Sequence, residues 1–258
     1  MNMKISLSAI AAAFLLVTVS ASGNNITEPS VVAKYTSEPV KLDGKLDDGA
    51  WAKATAYSLV LPLKTYSGQP ESMQKTLGTV LREKGTVKLL WDDNYLYVGA
   101  EFEDSDAVNE GKEDQGHLYS TGDLVEVFLK PAKENYYWEI YGAPNNKKTW
   151  FFFPARGRIM FPACAGYLPK DLNVAAVVDG TLNNWQDKDK GFCIEMAIPI
   201  KELTVYGAKF DNSANWTILI ARYNYSAYLP KEELSAFPQL SNVNYHICEE
   251  YARLLLEK

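Results

Sequence analysis

The stretch TVKLLWDDNYLYVGAEFED, residues 86–104, sets the strictest limit on how this chain folds. Apolar and polar side chains alternate with a period of two on both sides of Asp92-Asp93-Asn94. That period belongs to β-strands, whose successive side chains point to opposite faces. Two such runs joined by three turn-forming residues predict a β-hairpin, with Asn94 supplying the left-handed residue that a three-residue connection uses. Val87, Leu89 and Trp91 fall on one face as core. Tyr95 and Tyr97 fall on the face opposite Leu96 and Val98, so the hairpin packs on both sides.

The same alternation recurs in GDLVEVFLK (122–130), NYYWEIYGA (135–143), KTWFFFPA (148–155), FCIEMAIPI (192–200), WTILIARYNYS (216–226) and YARLLLEK (251–258). Clusters of Gly, Pro, Asn and Asp separate these runs. Helix is confined to LDDGAWAKA, capped by Asp47 or Asp48 with Trp51 as a plug, and to one turn around PIKEL. The expectation is an all-β fold, an immunoglobulin-like or jelly-roll-type antiparallel β-sandwich with very little helix, forming a single domain over residues 24–258.

Residues 1–21 read differently. A basic start (MNMK), an apolar run from Ile5 to Val19 and small residues at Val19-Ser20-Ala21 predict a cleavable signal peptide. The mature protein is then periplasmic or secreted, with no membrane insertion once the signal is removed. An exported chain with Cys164, Cys193 and Cys248 can close one disulfide, and the sequence leaves the pair open. Only two histidines are present, His117 and His246, so zinc chemistry and Ser/His/Asp catalysis are thinly supplied. The net charge of −6 gives no surplus of cations for phosphates, which argues against nucleic acid and anionic membrane surfaces as partners.

Period two also sorts the polar residues. Glu126 shares a strand face with Leu124 and Phe128; Glu139 lies between Tyr137 and Tyr141; Arg222 and Asn224 share a face with Trp216, Ile218 and Ile220. A carboxylate among apolar side chains either pairs with an arginine or faces a pocket, because burying it alone is costly. Aromatic plates interleaved with carboxylates, amides and guanidinium groups suit a sugar, which stacks its C–H faces on rings and offers a rim of hydroxyls. Each aromatic taken singly reads equally as core. The acidic run EFEDSDAVNEGKED (101–114) offers oxygens for calcium, with Asp104 and Asp106 as the candidate ligands, and reads equally as a solvated loop.

Four stretches in order, VKLDGKLDDGAWAKA (40–54), VKLLWDDNYLYVGAEFEDSD (87–106), GDLVEVFLKP (122–131) and GFCIEMAIPIKEL (191–203), resemble the family 9 carbohydrate-binding modules. The resemblance implies a β-sandwich that grips the end of an oligosaccharide or polysaccharide, often carries structural calcium, and has no catalysis of its own. It also implies two stacking aromatics, at Tyr119 and Phe237, where better-known members have tryptophan, and a ligand-binding acid at Glu126. Glu139 stands where the family has an arginine, and Arg222 or Arg156 would have to replace it. Two other functions are open on the sequence. One is a glycoside hydrolase using Glu126 and Glu139 as paired carboxylates. The other is a haem-binding extracytoplasmic redox domain drawing on His117, His246, Met160 or Met196.

Overall fold

The computed structural model describes residues 28–65, 70–72, 74, 79–158 and 161–258. The expected signal peptide and Met160 lie outside these. Among the described residues twelve strands account for nearly all regular structure: β1 (Ser30–Tyr35), β2 (Tyr57–Ser58), β3 (Gly85–Trp91), β4 (Tyr95–Glu103), β5 (Leu124–Pro131), β6 (Tyr137–Gly142), β7 (Lys148–Phe153), β8 (Asn173–Asp179), β9 (Gly191–Pro199), β10 (Trp216–Asn224), β11 (Glu233–Phe237) and β12 (Ala252–Glu257). They hydrogen-bond in the order β7-β6-β5-β10-β12-β1-β3-β4-β9-β8, with β11 on β10 and β2 on β3. The sheet folds over until it nearly closes into a barrel. Among the described strands every pairing is antiparallel except those of β1, which runs parallel to both β12 and β3.

One core fills the space between the two layers. Val125, Val127 and Leu129 of β5 and Trp216, Ile218 and Ile220 of β10 meet Val87, Leu89 and Trp91 of β3 and Ile194, Met196 and Ile198 of β9. The predicted hairpin is β3–β4, but its turn is built by Asp92 and not by a left-handed Asn94. Asp92 Oδ1 accepts from the backbone N–H groups of Asn94 and Tyr95, each at 2.7 Å, and Oδ2 accepts from the Tyr97 hydroxyl at 2.8 Å. The carboxylate closes the turn, so no residue of the loop needs positive φ.

Trp51 is the expected plug, fully buried against Leu90 and Tyr97. Its helical turn, Trp51–Lys53, has no side-chain cap. It is anchored by its indole instead: Nε1 donates to Glu195 Oε1 at 2.8 Å, while Glu195 Oε2 accepts from the backbone of Asp43 and Gly44. A methyl group at Gly99 would come within 2.6 Å of Leu46 and 2.9 Å of the Trp51 ring, so the plug seats only because Gly99 has no side chain. The three cysteines are unpaired thiols, Cys164 buried and the other two half-buried, so the disulfide that export would permit is not formed. No helix among the described residues is long and apolar enough to cross a membrane.

Candidate functional site

Since Val125, Val127 and Leu129 take the core side of β5, alternation turns Leu124, Glu126 and Phe128 to the outer face. Register then decides their company. On β6, Tyr141 stands opposite Glu126 and Glu139 opposite Phe128; on β7, Phe151 stands opposite Glu139 and Phe153 opposite Tyr137. On β10, Ala221 opposes Glu126 and Tyr223 opposes Leu124. Two acids therefore sit inside a ring of aromatic side chains that forms a second apolar cluster on the outside of this layer. The turn Leu118–Ser120 and the loop at residues 243–246 close over it. The result is a cavity of about 420 Å³, a volume that suits a small ligand.

The two acids are almost completely buried, Glu126 at 2% and Glu139 at 5% exposure. The Tyr141 hydroxyl donates a short hydrogen bond to Glu139 Oε1. Burial drives both carboxyls toward their neutral form. Glu139 is pushed up to about 7 by desolvation, against the opposing pull of Tyr141. Glu126 is raised well above the ordinary range by desolvation and by the neighbouring charge of Glu139. Among the described residues, no lysine or arginine lines the cavity. His246 Nε2 lies 3.8 Å from Glu139 and its Nδ1 is hydrogen-bonded to the Tyr137 hydroxyl at 2.9 Å. Burial and the nearby Arg156 lower the His246 pKa, so the imidazole stays neutral at physiological pH. Near neutrality the pair of acids holds a proton and has no fixed cation.

Of the residues expected from sequence, Tyr119, Glu126 and Glu139 line this one cavity. Tyr119 is 36% exposed at the rim, its ring 5.7 Å from Tyr223 and 6.5 Å from Tyr141. Arg222 and Asn224 lie on the other face, because β5 and β10 pair with Val125 opposite Arg222 and Glu126 opposite Ala221. Arg222 instead donates to Asp104 Oδ2 at 2.8 Å, with both side chains sealed from solvent, and its guanidinium stacks 4.5 Å from the centre of the Phe102 ring. Asn224 donates to Glu83 Oε2. Phe237 opposes Ile220 on β11 and packs 4.9 Å from Tyr57, at the edge of the main core. Arg156 is taken up by Glu249, which accepts from both of its terminal nitrogens at 2.6 and 2.8 Å.

The residues proposed for calcium do not fit a cation as they stand. Asp104 Oδ1 accepts from the Asp106 N–H and Oδ2 from Arg222; Asp106 Oδ2 accepts from the Ala227 N–H. A hard cation collecting six to eight oxygens would have to displace a guanidinium from Asp104. No group of three or more acidic, His or Cys side chains among the described residues is placed to hold a metal. These acids, and Asp123 beyond them, tie loops together instead. Asp123 accepts from the N–H groups of Val108 and Tyr225, and Gly122 lets the chain pass, since a methyl group there would lie 2.1 Å from the Val108 carbonyl oxygen.

Sequence reasoning missed Tyr223, Phe151, Phe153, Tyr245 and His246 as cavity walls. Tyr223 follows once the β5–β10 register is known; the residues at 243–246 come from an irregular loop, which carries no periodic signal. The histidines weighed as haem ligands both line the cavity, His117 with its ring against Tyr119 and Phe151. Met196 is sealed in the core.

Three comparisons bear on this arrangement. The family model for the carbohydrate family 9 binding domain-like family matches residues 42–218. A candidate carbohydrate-binding protein from Bacteroides uniformis ATCC 8492 superposes with a TM-score of 0.62 at 10% identity, covering 89% of this chain and 99% of that one. A family 9 carbohydrate-binding module from Caldicellulosiruptor kristjanssonii in complex with cellotriose gives 0.53 at 17% identity, covering 88% and 93%. Its glucose complex gives 0.53 at 16%, covering 88% and 95%. At these identities the solved structures speak for the fold. Comparison with curated proteins finds no match.

Proposed function

The chain belongs to the carbohydrate family 9 binding domain-like family, and from that premise we propose that it is an exported, non-catalytic protein that captures a terminal sugar in the outer-face cavity. The observation that carries this reading is the cavity's composition. Tyr119 stands at the mouth, aromatic rings form the walls, and two buried carboxylates lie at the base. A pyranose entering past Tyr119 would lay its C–H face on a ring and direct hydroxyls to Glu126 and Glu139. A hydroxyl donated to the ionised member of the pair makes a bond stronger in this desolvated site than one made in water. Export rests on the N-terminal signal-like segment.

Titration calorimetry of the mature protein against soluble oligosaccharides tests this directly. Tyr119→Ala should weaken whichever sugar binds by about tenfold, the loss of one stacking face, while the melting temperature stays within about 2 °C. A variant that binds as well as the parent would remove the cavity from consideration. One observation favours a second reading, hydrolysis: the two acids are diagonal neighbours on adjacent strands, and Glu139 holds its proton up to about pH 7. Incubation with the same oligosaccharides separates the two readings, because release of reducing ends would replace capture with cleavage.

A further inference from the structure

The cavity has a charge pattern that a neutral sugar leaves unresolved. Glu126 and Glu139 are buried side by side with one phenol hydroxyl, that of Tyr141, bonded to Glu139. Among the described residues no lysine or arginine enters the cavity, and Arg156, beyond His246, is already paired with Glu249. Elsewhere in this protein a sealed carboxylate has a cation, as Asp104 has Arg222, or is saturated with N–H donors, as Glu195 is by Trp51, Asp43 and Gly44. The Glu126–Glu139 pair has neither, and it faces open volume. The walls include the aromatic rings of Tyr119, Tyr223 and Phe151, whose π-systems attract positive charge.

We propose that the cavity selects a terminal sugar bearing a free primary amine, with the ammonium held between Glu126 and Glu139 and the pyranose ring against Tyr119. The proposal rests on the sugar-capture reading and narrows it to the ligand's charge. The charge of a bound ammonium favours the ionised form of both acids, so binding releases the proton that the pair holds, and its three N–H donors then complete hydrogen bonds to the carboxylates that a hydroxyl can satisfy only in part. The ammonium also supplies the missing counter-charge, and the surrounding rings add a cation–π contribution that is largest in a dry site. N-acetylation removes both the charge and two of the donors. A uronic acid would bring a further carboxylate to a site whose two acids already disfavour negative charge, and it supplies no counter-charge to them.

The test uses the mature protein in low-salt buffer at pH 6.5 and calorimetric titration with matched trisaccharides: a β-1,4-glucosamine trimer, its fully N-acetylated form, and cellotriose. Ethanolamine serves as an amine without a ring. The amino trimer should bind at least tenfold more tightly than the other two sugars, and ethanolamine should bind at least tenfold more weakly than the trimer. Glu126→Gln should reduce the preference for the amine to within about threefold, and Glu139→Gln provides the same reading if the first variant does not fold. Equal or tighter binding of cellotriose or the acetylated trimer overturns the amine proposal and leaves sugar capture standing. A preference unchanged in both variants also overturns it. Binding of no sugar, or of ethanolamine as tightly as the trimer, overturns sugar capture itself.

Discussion

Replacing Glu139 with Gln should make the protein more stable, and only above a particular pH. Glu139 sits at 5% exposure, with its pKa pushed up to about 7 from the ordinary 4.5 by burial. The folded state therefore prefers the protonated carboxyl. Between pH 4.5 and 7 the native state holds a proton on Glu139 that the unfolded chain has released, so this group's contribution to stability falls as pH rises through the window and levels off above it. The difference corresponds to about 3 kcal/mol withheld from the native state at pH 8. Gln keeps the shape and still accepts the Tyr141 hydroxyl, but it carries no charge at any pH. Urea titrations should find Glu139→Gln more stable than the parent by about 2–3 kcal/mol at pH 8, or about 5–10 °C in melting temperature for a domain of this size. At pH 4.5 the two proteins should agree within about 0.5 kcal/mol. Equal stabilities at pH 8, or a variant weaker than the parent, would mean that water or an unrecognised cation already solvates the acid, and the desolvated pair would be lost as a premise.

Phe237→Ala should cost about 2–3 kcal/mol of stability by opening a void beside Tyr57 at the edge of the core, while affinity for the captured sugar stays within twofold by calorimetry. Arg222→Met should cost about 3–5 kcal/mol at pH 7, because Asp104 loses its buried counter-charge. The loss should shrink at pH 4, where Asp104 and Asp123, both raised by burial, take up protons. Chelator or millimolar calcium should shift the melting temperature by less than about 1 °C, as expected if the Arg222 guanidinium holds the position next to Asp104; a calcium-dependent rise of 5 °C or more would show that the loop acids bind metal after all.

Most of the fold was legible because period two is a local property. Val125, Val127 and Leu129 fall on one side and Glu126 on the other whatever the strand pairs with, and the six later runs and the hairpin all appear as strands. β1, β2, β8 and β11 escaped the reading. β8 is an edge strand, half-buried along its length, so its sequence does not alternate cleanly, and β2 spans two residues. Register is the part that alternation cannot supply. A shift of one residue between β5 and β10 would put Arg222 beside Glu126; the register formed puts Ala221 there and sends the guanidinium to Asp104. The Asp92 turn shows the same limit, since a side-chain cap is a three-dimensional solution to a problem that looks, in sequence, like a search for a left-handed residue. The site was half visible for these reasons: its acids lie on periodic strands, whereas part of its wall is the loop at residues 243–246.

The parallel seating of β1 between β12 and β3 has a consequence for how the chain reaches this shape. Residues 30–34 pair with residues 253–257, and β1 touches β3 through only two residue pairs, so the joint between the layers is made from segments more than two hundred positions apart. A growing polypeptide that has not yet emitted β12 leaves β1 with one short neighbour and β10 without its partner at Trp216–Ile218. Closure must then wait for β12 to arrive. Until that moment the hairpin of β3 and β4 and the meander of β5 to β7 can form locally but cannot lock together.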